Sequence, residues 1–466
     1  MKSPHVILIS IDTLRADHLS CYGYGKTTTP NLDRLASEGT LCRRNYSTGV
    51  WTPPGHASML TGLYVPEHGV YDTRRLSDNI PTMAEVLKRH GYQTAGFVNN
   101  SQVGELVGFD RGHDRFVEVW KGAETDSFAA RAVRGLMRRS KKILFHQDRG
   151  AENTNRSFEE WLSKDTNAGR PFYAFLHYIE PHNPLNPPAR YRNRYLKGLE
   201  SRDIDRDKVG KAAHNPLVCF VEDLGLNSRE IEYLVALYDG EIEYTDSKIG
   251  ELMSFLKDRG VYDETMIIVT ADHGEHFGEH GLWSHVASLY KEVLHIPLII
   301  KFPKGYGYLS EINGYTQLVD IFPTVMEVAG ISEKEEIKTS GVSLVHNGNN
   351  RYHEYVFADW EGRVPYFIQD RAGASAKKVD IERFKVEMSM VQDRLHKYIW
   401  KSDGADELLD IAGGKELSLD VSARKDVRDS LRAELLQRKK AVKEKDAVER
   451  TMDEDVEKNL KALGYL

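Results

Sequence analysis

Three short apolar runs end in side chains able to bind a metal or move a proton. ILISID ends at Asp12, FLHYIEPH at Glu180 and His182, and IIVTADHGEHFGEHGLWSH passes through Asp272 and His273 to His280 and His285. Carboxylates and imidazoles together are ligands for a divalent cation. Each alone could be an ordinary turn or loop residue. Three independent strand ends of the same kind are harder to dismiss. A fourth stretch, WTPPGHASMLTG, sets a hydroxyl at Thr52 where a helix begins: proline is tolerated in a first helical turn, and Gly62 is a C-terminal stop. Thr52 there is either a plain cap or something more, because such an end attracts anions. A threonine hydroxyl is a weak nucleophile at neutral pH, and a metal both activates it and neutralises an oxygen of a phosphate or sulfate group. The constellation implies attack on an anionic ester.

The elements that must position these residues follow from periodicity. Apolar runs at 5–11, 94–98, 172–178, 265–269 and 297–301 read as buried parallel strands. Between them lie helical segments: Pro30 to Gly39 after a Thr29 cap, a capping box at Thr82 and Glu85 leading to Gly91, and a long periodic helix from Ile231 to Arg259 stopped by Gly260. The alternation predicts an α/β domain, a mostly parallel sheet flanked by helices, over residues 1–375. In open α/β sheets ligands bind beyond the carboxyl ends of the strands, so Asp12, Glu180, His182, Asp272 and His273 are expected on one edge. Residues 121–160 and 190–230 are charged and strand-poor, and read as insertions over one face. The first holds a basic run, Arg131 to Lys142, read as a solvated amphipathic helix, with a dock for an anionic polymer as the alternative. From 376 to 466 the composition shifts to charged helix around one strand-like piece at 397–400, which predicts a small C-terminal α+β subdomain.

With 466 residues the chain can bury a large core, and its net charge of −7 argues against nucleic acid as the main partner. The cysteines Cys21, Cys42 and Cys219 form no C-x-x-C pair, which fits a reducing compartment. The apolar run near the N-terminus is too short for a signal core, and no segment approaches the ~18 apolar residues of a membrane span. A cytoplasmic location is expected, with oligomeric state left open.

ILISIDTLRADHLSCYG, TPNLDRLASEG, TPPGHASMLTGLYVPEHGV, EPHNP, YDGEIEYTDSKIGEL, TADHGEHFGEHGLWSH, LYKEVLHIPLII and the terminal LKALGYL together resemble the sulfatase family of the alkaline phosphatase superfamily. The resemblance implies an alkaline phosphatase/sulfatase-like fold, a C-terminal subdomain with a small antiparallel sheet, and a metal beside the nucleophile. By similarity Asp12, Asp272 and His273, with Thr52, would hold that metal. His182 and His285, with Glu180, would hold a second metal or bind the substrate oxyanion. One or two divalent ions are thus implied, zinc or manganese ahead of calcium or magnesium. Arg15 stands at the family's spacing and would orient the nucleophile, an ion pair with Asp17 or Asp33 being the alternative. His56 lies on the same helix face as Thr52. It would donate to the ester oxygen or simply pack. His276 and His280 read as outer or surface residues rather than metal ligands.

The departures shape the expected chemistry. The family's Cys or Ser that becomes formylglycine is Thr52 here, the motif arginine is His56, the paired aspartates are Asp12-Thr13, and the later lysine is His285. The resulting expectation is a metal-dependent hydrolase of a small phosphate ester, a diester ahead of a monoester, through a Thr52 nucleophile. The alternatives are a sulfuric ester hydrolase without formylglycine, a phosphotransferase, or a non-catalytic anion-binding protein.

Overall fold

The computed structural model describes residues 3–71, 74–122, 148–164, 169–199, 203–222, 224–332, 338–346, 352–372, 380–441, 448–449 and 454–462. The basic run expected between Arg131 and Lys142 lies outside the described residues.

Eight strands form the main sheet, in the order Glu311–Gln317, Thr40–Tyr46, Leu298–Lys301, Thr265–Thr270, His5–Ile11, Phe172–Tyr178, Gln93–Val98, Arg115–Glu118. His5–Ile11 sits near the centre and is fully apolar-packed: Val6, Ile7, Leu8 and Ile9 are each 0% exposed. It pairs in parallel with Phe172–Tyr178 and Thr265–Thr270, Ile9 lying opposite Leu176 on one side and Val269 on the other. The carboxyl ends of these three strands are therefore side by side, and the Asp12 N–H continues the pairing to the Tyr178 carbonyl at 2.9 Å.

One expected direction is reversed. Leu298–Lys301 runs antiparallel to both Thr265–Thr270 and Thr40–Tyr46. The chain returns from the loop at the carboxyl end without a crossover, and only a crossover would bring it back parallel. An apolar strand buried on both faces carries no mark of its direction. Thr40–Tyr46, Arg115–Glu118 and Glu311–Gln317 belong to the sheet although their mixed polarity gives no apolar run.

The long helix is Ser228–Asp258, starting three residues before the periodic stretch because Asn227 and Glu230 form a reciprocal capping box. It is fixed to the loop after the first strand by Asp239, which receives His18 Nδ1 at 2.9 Å, the Tyr24 hydroxyl at 2.8 Å and Lys26 Nζ at 2.7 Å. The stretch around 190–230 is helical, with Ala189–Leu196, Arg206–His214 and Val218–Val221.

A separate five-stranded antiparallel sheet runs in the order Val356–Trp360, Met388–Gln392, His396–Lys401, Glu407–Asp410, Leu417–Leu419. Its first strand precedes the boundary expected at 375, so the subdomain begins earlier in the chain. That strand braces the segment leading to Thr52: the Asp359 N–H donates to the Thr48 carbonyl at 3.1 Å, and Trp360 stacks on Trp51 with centroids 5.6 Å apart. Helix Lys425–Ala441 covers the sheet through Leu431 and Leu435, which pack with Val391, Tyr398 and Leu408. Leu435→Ala is expected to cost about 2–4 kcal/mol of stability by opening a cavity in this small cluster, read as a lower midpoint in urea unfolding at unchanged slope.

Candidate active site

The short helix is Thr52–Thr61, entered from Trp51 in extended conformation and closed by Gly62 in the left-handed region. Thr52 is its first residue, as its sequence predicts, and is 0% exposed. Two contacts seat the helix. A Cβ on Gly55 would lie 2.7 Å from the Asp272 carbonyl oxygen, so only glycine allows the helix so close to the Asp272 backbone. His56 Nδ1 donates to the Thr52 carbonyl at 2.7 Å, and its Nε2 accepts from the Ser10 hydroxyl at 2.9 Å.

Asp12, Asp272 and His273 converge beside Thr52, with ligand atoms all within 4.8 Å of one another. Oδ1 of Asp272 accepts the His273 N–H at 2.9 Å and the Thr13 N–H at 3.3 Å. Oδ2 of Asp12 accepts from Asn100 Nδ2 at 3.0 Å. The remaining oxygens, Asp12 Oδ1 and Asp272 Oδ2, are buried with no hydrogen-bond partner among the described residues. Both lie near His273 Nε2, at 3.9 and 3.5 Å. His273 Nδ1 bonds the Gly274 carbonyl at 3.0 Å, and a carbonyl can only accept, so Nδ1 carries the proton and Nε2 offers its lone pair. Thr52 Oγ1 stands 3.3 Å from that Nε2. Two donorless carboxylate oxygens and an imidazole lone pair beside a hydroxyl fit a divalent cation, and His273 has the outer hydrogen bond that orients a metal-binding imidazole. Burial pushes Asp12 up to about 6.

The loop after the first strand is held under strain. Thr13, a β-branched residue, has φ 57°. Its carbonyl accepts the Tyr238 hydroxyl at 2.6 Å while that oxygen accepts the Arg15 N–H at 3.0 Å. The Arg15 guanidinium pairs with Asp17 at 2.8 Å and Glu279 at 2.7 Å and donates to the Glu275 carbonyl at 3.0 Å. Asp33 instead accepts from Ser20 and Cys21. Arg15 thus ties two loops together and makes the ion pair with Asp17 that the sequence offered as an alternative.

His285 comes to the site, its ring centroid 4.3 Å from that of His273 and 5.4 Å from that of His182. Burial holds His285 down to about 4 and His182 well below the usual histidine value, so both are neutral imidazoles. Glu180 does not join them. Its Oε1 accepts the Arg149 N–H at 2.8 Å, and no second metal-type cluster containing Glu180, His182 and His285 forms among the described residues. The carboxylate beside His285 is Glu275, 3.4 Å from Nδ1 and pushed up to about 8 by burial. His56 likewise spends both nitrogens on protein groups and is held down to about 4 by burial. Its two nitrogens tie the helix start to the first strand.

Sequence reasoning passed over Asn100, Glu275, Ser10 and His177. His177 lies opposite Ser10 in the parallel pair and 3.4 Å from Asp12 Oδ2, with neither ring nitrogen hydrogen-bonded among the described residues. It sits inside FLHYIEPH, and the signal available was strand alternation, which puts Ser10 and Asp12 on one face.

A buried, metal-type cluster under a hydroxyl at a helix start, beyond the carboxyl ends of a mostly parallel sheet, defines an ester-attacking hydrolase of the alkaline phosphatase type. The Sulfatase family matches residues 4–331, and the C-terminal family of N-sulphoglucosamine sulphohydrolase matches residues 278–385. The chain belongs to the sulfatase family, within the alkaline phosphatase superfamily. It is similar to an N-acetylglucosamine-6-O-sulfatase of Bacteroides thetaiotaomicron, 25% identical over 78% of this chain and 74% of that one. It is also similar to the multifunctional alkaline phosphatase superfamily protein PehA of Trinickia caryophylli, 26% identical over 71% and 74%. The crystal structure of a phosphonate monoester hydrolase of Agrobacterium radiobacter shares the fold, with TM-score 0.73 and 23% identity over 96% of this chain and 100% of that one. The family is generally dependent on a divalent metal, in keeping with the donor set. Among the described residues no helix is long and apolar enough to cross a membrane.

Gly55→Ala should push the helix off Asp272, costing about 1–3 kcal/mol of stability and lowering turnover more than it lowers substrate binding. Denaturation and steady-state kinetics read the two effects. A ligand must be deprotonated to bind metal, so affinity should be level above Asp12's value of about 6 and fall as pH drops through it, by about tenfold per unit. Calorimetric titration of metal at pH 5, 6 and 7.5 measures this.

Proposed function

We propose that the protein hydrolyses a small ester carrying one negative charge, a phosphodiester or phosphonate monoester ahead of a phosphate monoester, through Thr52. The observation that carries the reading is the Thr52 hydroxyl at the start of a buried helix, 3.3 Å from His273 Nε2 and over the donorless oxygens of Asp12 and Asp272. A divalent cation held by Asp12, Asp272 and His273 would lower the pKa of that hydroxyl and offset charge on the ester oxygen.

Thr52 Oγ1 attacks phosphorus as the bond to the leaving oxygen breaks, the hydroxyl proton passing through solvent to that oxygen so that it departs as the alcohol, and the phosphoryl group stays on Thr52. Water then attacks phosphorus and returns the hydroxyl. His56 holds the helix, through the Thr52 carbonyl, so that the hydroxyl does not search for its position. His182 and His285 are neutral, and neutral imidazoles suit a mono-anion better than a dianion. Glu275 is a protonated carboxyl near pH 7, and beside His285 Nδ1 it favours the proton of that imidazole on Nε2, a donor to an ester oxygen.

Phosphorus is preferred to sulfur because Thr52 carries a secondary alcohol, whose oxidation would give a ketone and not the aldehyde that the family resemblance implies for sulfatases. Family membership favours the second reading, a sulfate ester, which carries the same charge. A third expectation, a non-catalytic anion-binding protein, has no use for a hydroxyl poised over a metal-type cluster. A soluble cytoplasmic setting and a single small-molecule substrate complete the proposal; zinc or manganese is the proposed ion.

Rates on bis-p-nitrophenyl phosphate, p-nitrophenyl phosphate and p-nitrophenyl sulfate discriminate the readings. The diester is expected to give the highest kcat/KM, with Thr52→Ala losing at least about a thousandfold and Thr52→Ser staying within about tenfold of wild type. Turnover of the sulfate alone, or a Thr52→Ala enzyme as active as wild type, would sink the proposal.

A further inference from the structure

A second set of metal-type side chains lies apart from Thr52. His280, Glu292 and Glu416 place ligand atoms within 4.8 Å of one another. They come from three segments: the turn between His276–Phe277 and Trp283–Ser284, the short helix Lys291–Leu294, and the residue preceding Leu417–Leu419 in the C-terminal sheet. None has a part in the chemistry proposed for Thr52.

Glu292 is the decisive member. Its side chain is 6% exposed, and its Oε2 has no hydrogen-bond partner among the described residues. The facing group is His280 Nε2 at 3.3 Å. A buried carboxylate oxygen without a donor is costly unless a cation takes the place of the lost water. Glu416 is already fixed in orientation. One oxygen meets the fully buried ammonium of Lys397, and the other accepts the Lys291 N–H at 3.2 Å. The Lys291 ammonium is turned to the Gly414 carbonyl at 3.1 Å, so it does not neutralise Glu292. Lys397 is paired with Glu416, and Arg15, whose charge also acts on Glu292, is itself engaged by Asp17 and Glu279. His280 is preset as well. Its backbone is left-handed at φ 56°, and its ring stacks on Tyr290 at 3.9 Å and 10°. With 29% of its side chain exposed, it leaves a way in from solvent.

We infer that His280, Glu292 and Glu416 bind a structural divalent cation of the zinc or manganese kind, since one imidazole and two carboxylates are the ligand set these ions accept. The cation joins the turn, the short helix and the C-terminal sheet. Its reach extends to the active site through the backbone: the Glu275 N–H donates to the Glu292 carbonyl at 3.1 Å, and the Gly274 N–H to the Val293 carbonyl at 2.7 Å. Those residues directly follow His273. The ion thus steadies the loop that carries His273 and His285 without touching substrate.

Zinc titrated calorimetrically into chelator-treated full-length protein carrying Asp272→Asn, which weakens the cluster beside Thr52, tests the site by itself. One equivalent should bind, and zinc should raise the thermal midpoint of this variant. Adding His280→Gly, which suits the left-handed backbone, or the isosteric Glu292→Gln should lower that affinity at least about tenfold and remove the thermal shift, with circular dichroism unchanged. Manganese is titrated in parallel. Should Asp272→Asn not fold, the same comparison between wild type and His280→Gly by elemental analysis should show the loss of one equivalent. A folded protein that takes up no zinc or manganese at this site, or uptake that is the same in both variants, overturns the inference.

Discussion

Taking a carboxylate out of water is costly unless donors or a cation replace the solvent, and two carboxylates at neighbouring strand ends are fully buried here. Asp12 and Asp272 each have one oxygen satisfied by protein donors and one left without any. The satisfied oxygens fix the orientation, and the donorless ones create the demand for a positive ion. The central placement of His5–Ile11 serves this arrangement, because its neighbours on both sides end level with it and bring Asp272 and His177 to Asp12. A fold that exposed either carboxylate would lose the demand together with the cost.

The rest of the site keeps loops from relaxing that demand. Thr13 is held at a backbone angle disfavoured for a β-branched residue, at a cost of about 1–3 kcal/mol, and Tyr238 from the long helix bonds both its carbonyl and the Arg15 amide. Arg15 spans from Asp17 to Glu279, joining the loop after the first strand to the loop after the seventh residue of the DHGEHFG stretch. Burial then sets the charge state: it keeps the imidazoles of His56, His177 and His285 neutral and Glu275 protonated near neutral pH. The interior beside Thr52 is therefore polar without being strongly cationic.

The central strands and the capped helices were legible in the sequence because each obeys a local rule, an apolar run or a cap; strand ends pointed to Asp12 and Asp272 among several candidates, and only the family resemblance singled out those two with His273. Thr52 was legible because two prolines mark a helix start. What escaped depends on neighbours. Leu298–Lys301 has the composition of a parallel strand and runs the other way, since direction is set by the connection. Glu311–Gln317 and Thr40–Tyr46 are polar enough to hide, being half-covered rather than enclosed. Arg15 takes the ion pair with Asp17 that the sequence offered as an alternative, and adds Glu279, which no spacing announces; Glu180 gives one oxygen to the Arg149 amide and keeps the other buried without a hydrogen bond among the described residues. His177 was overlooked because it lies within a strand rather than after one.

Residue 52 is seated by backbone and neighbouring residues, and the Thr52 hydroxyl adds its approach to His273 Nε2 at 3.3 Å. The helix is seated by Gly55 against the Asp272 backbone and by His56 on the carbonyl of residue 52, while Trp360 braces Trp51 from the C-terminal sheet. Position 52 is therefore a socket whose shape is set by main chain and neighbours, and a side chain placed there comes beside His273 and the same carboxylates. On the proposed mechanism, a substitution at residue 52 would exchange the attacking group and leave the frame that carries it as it was.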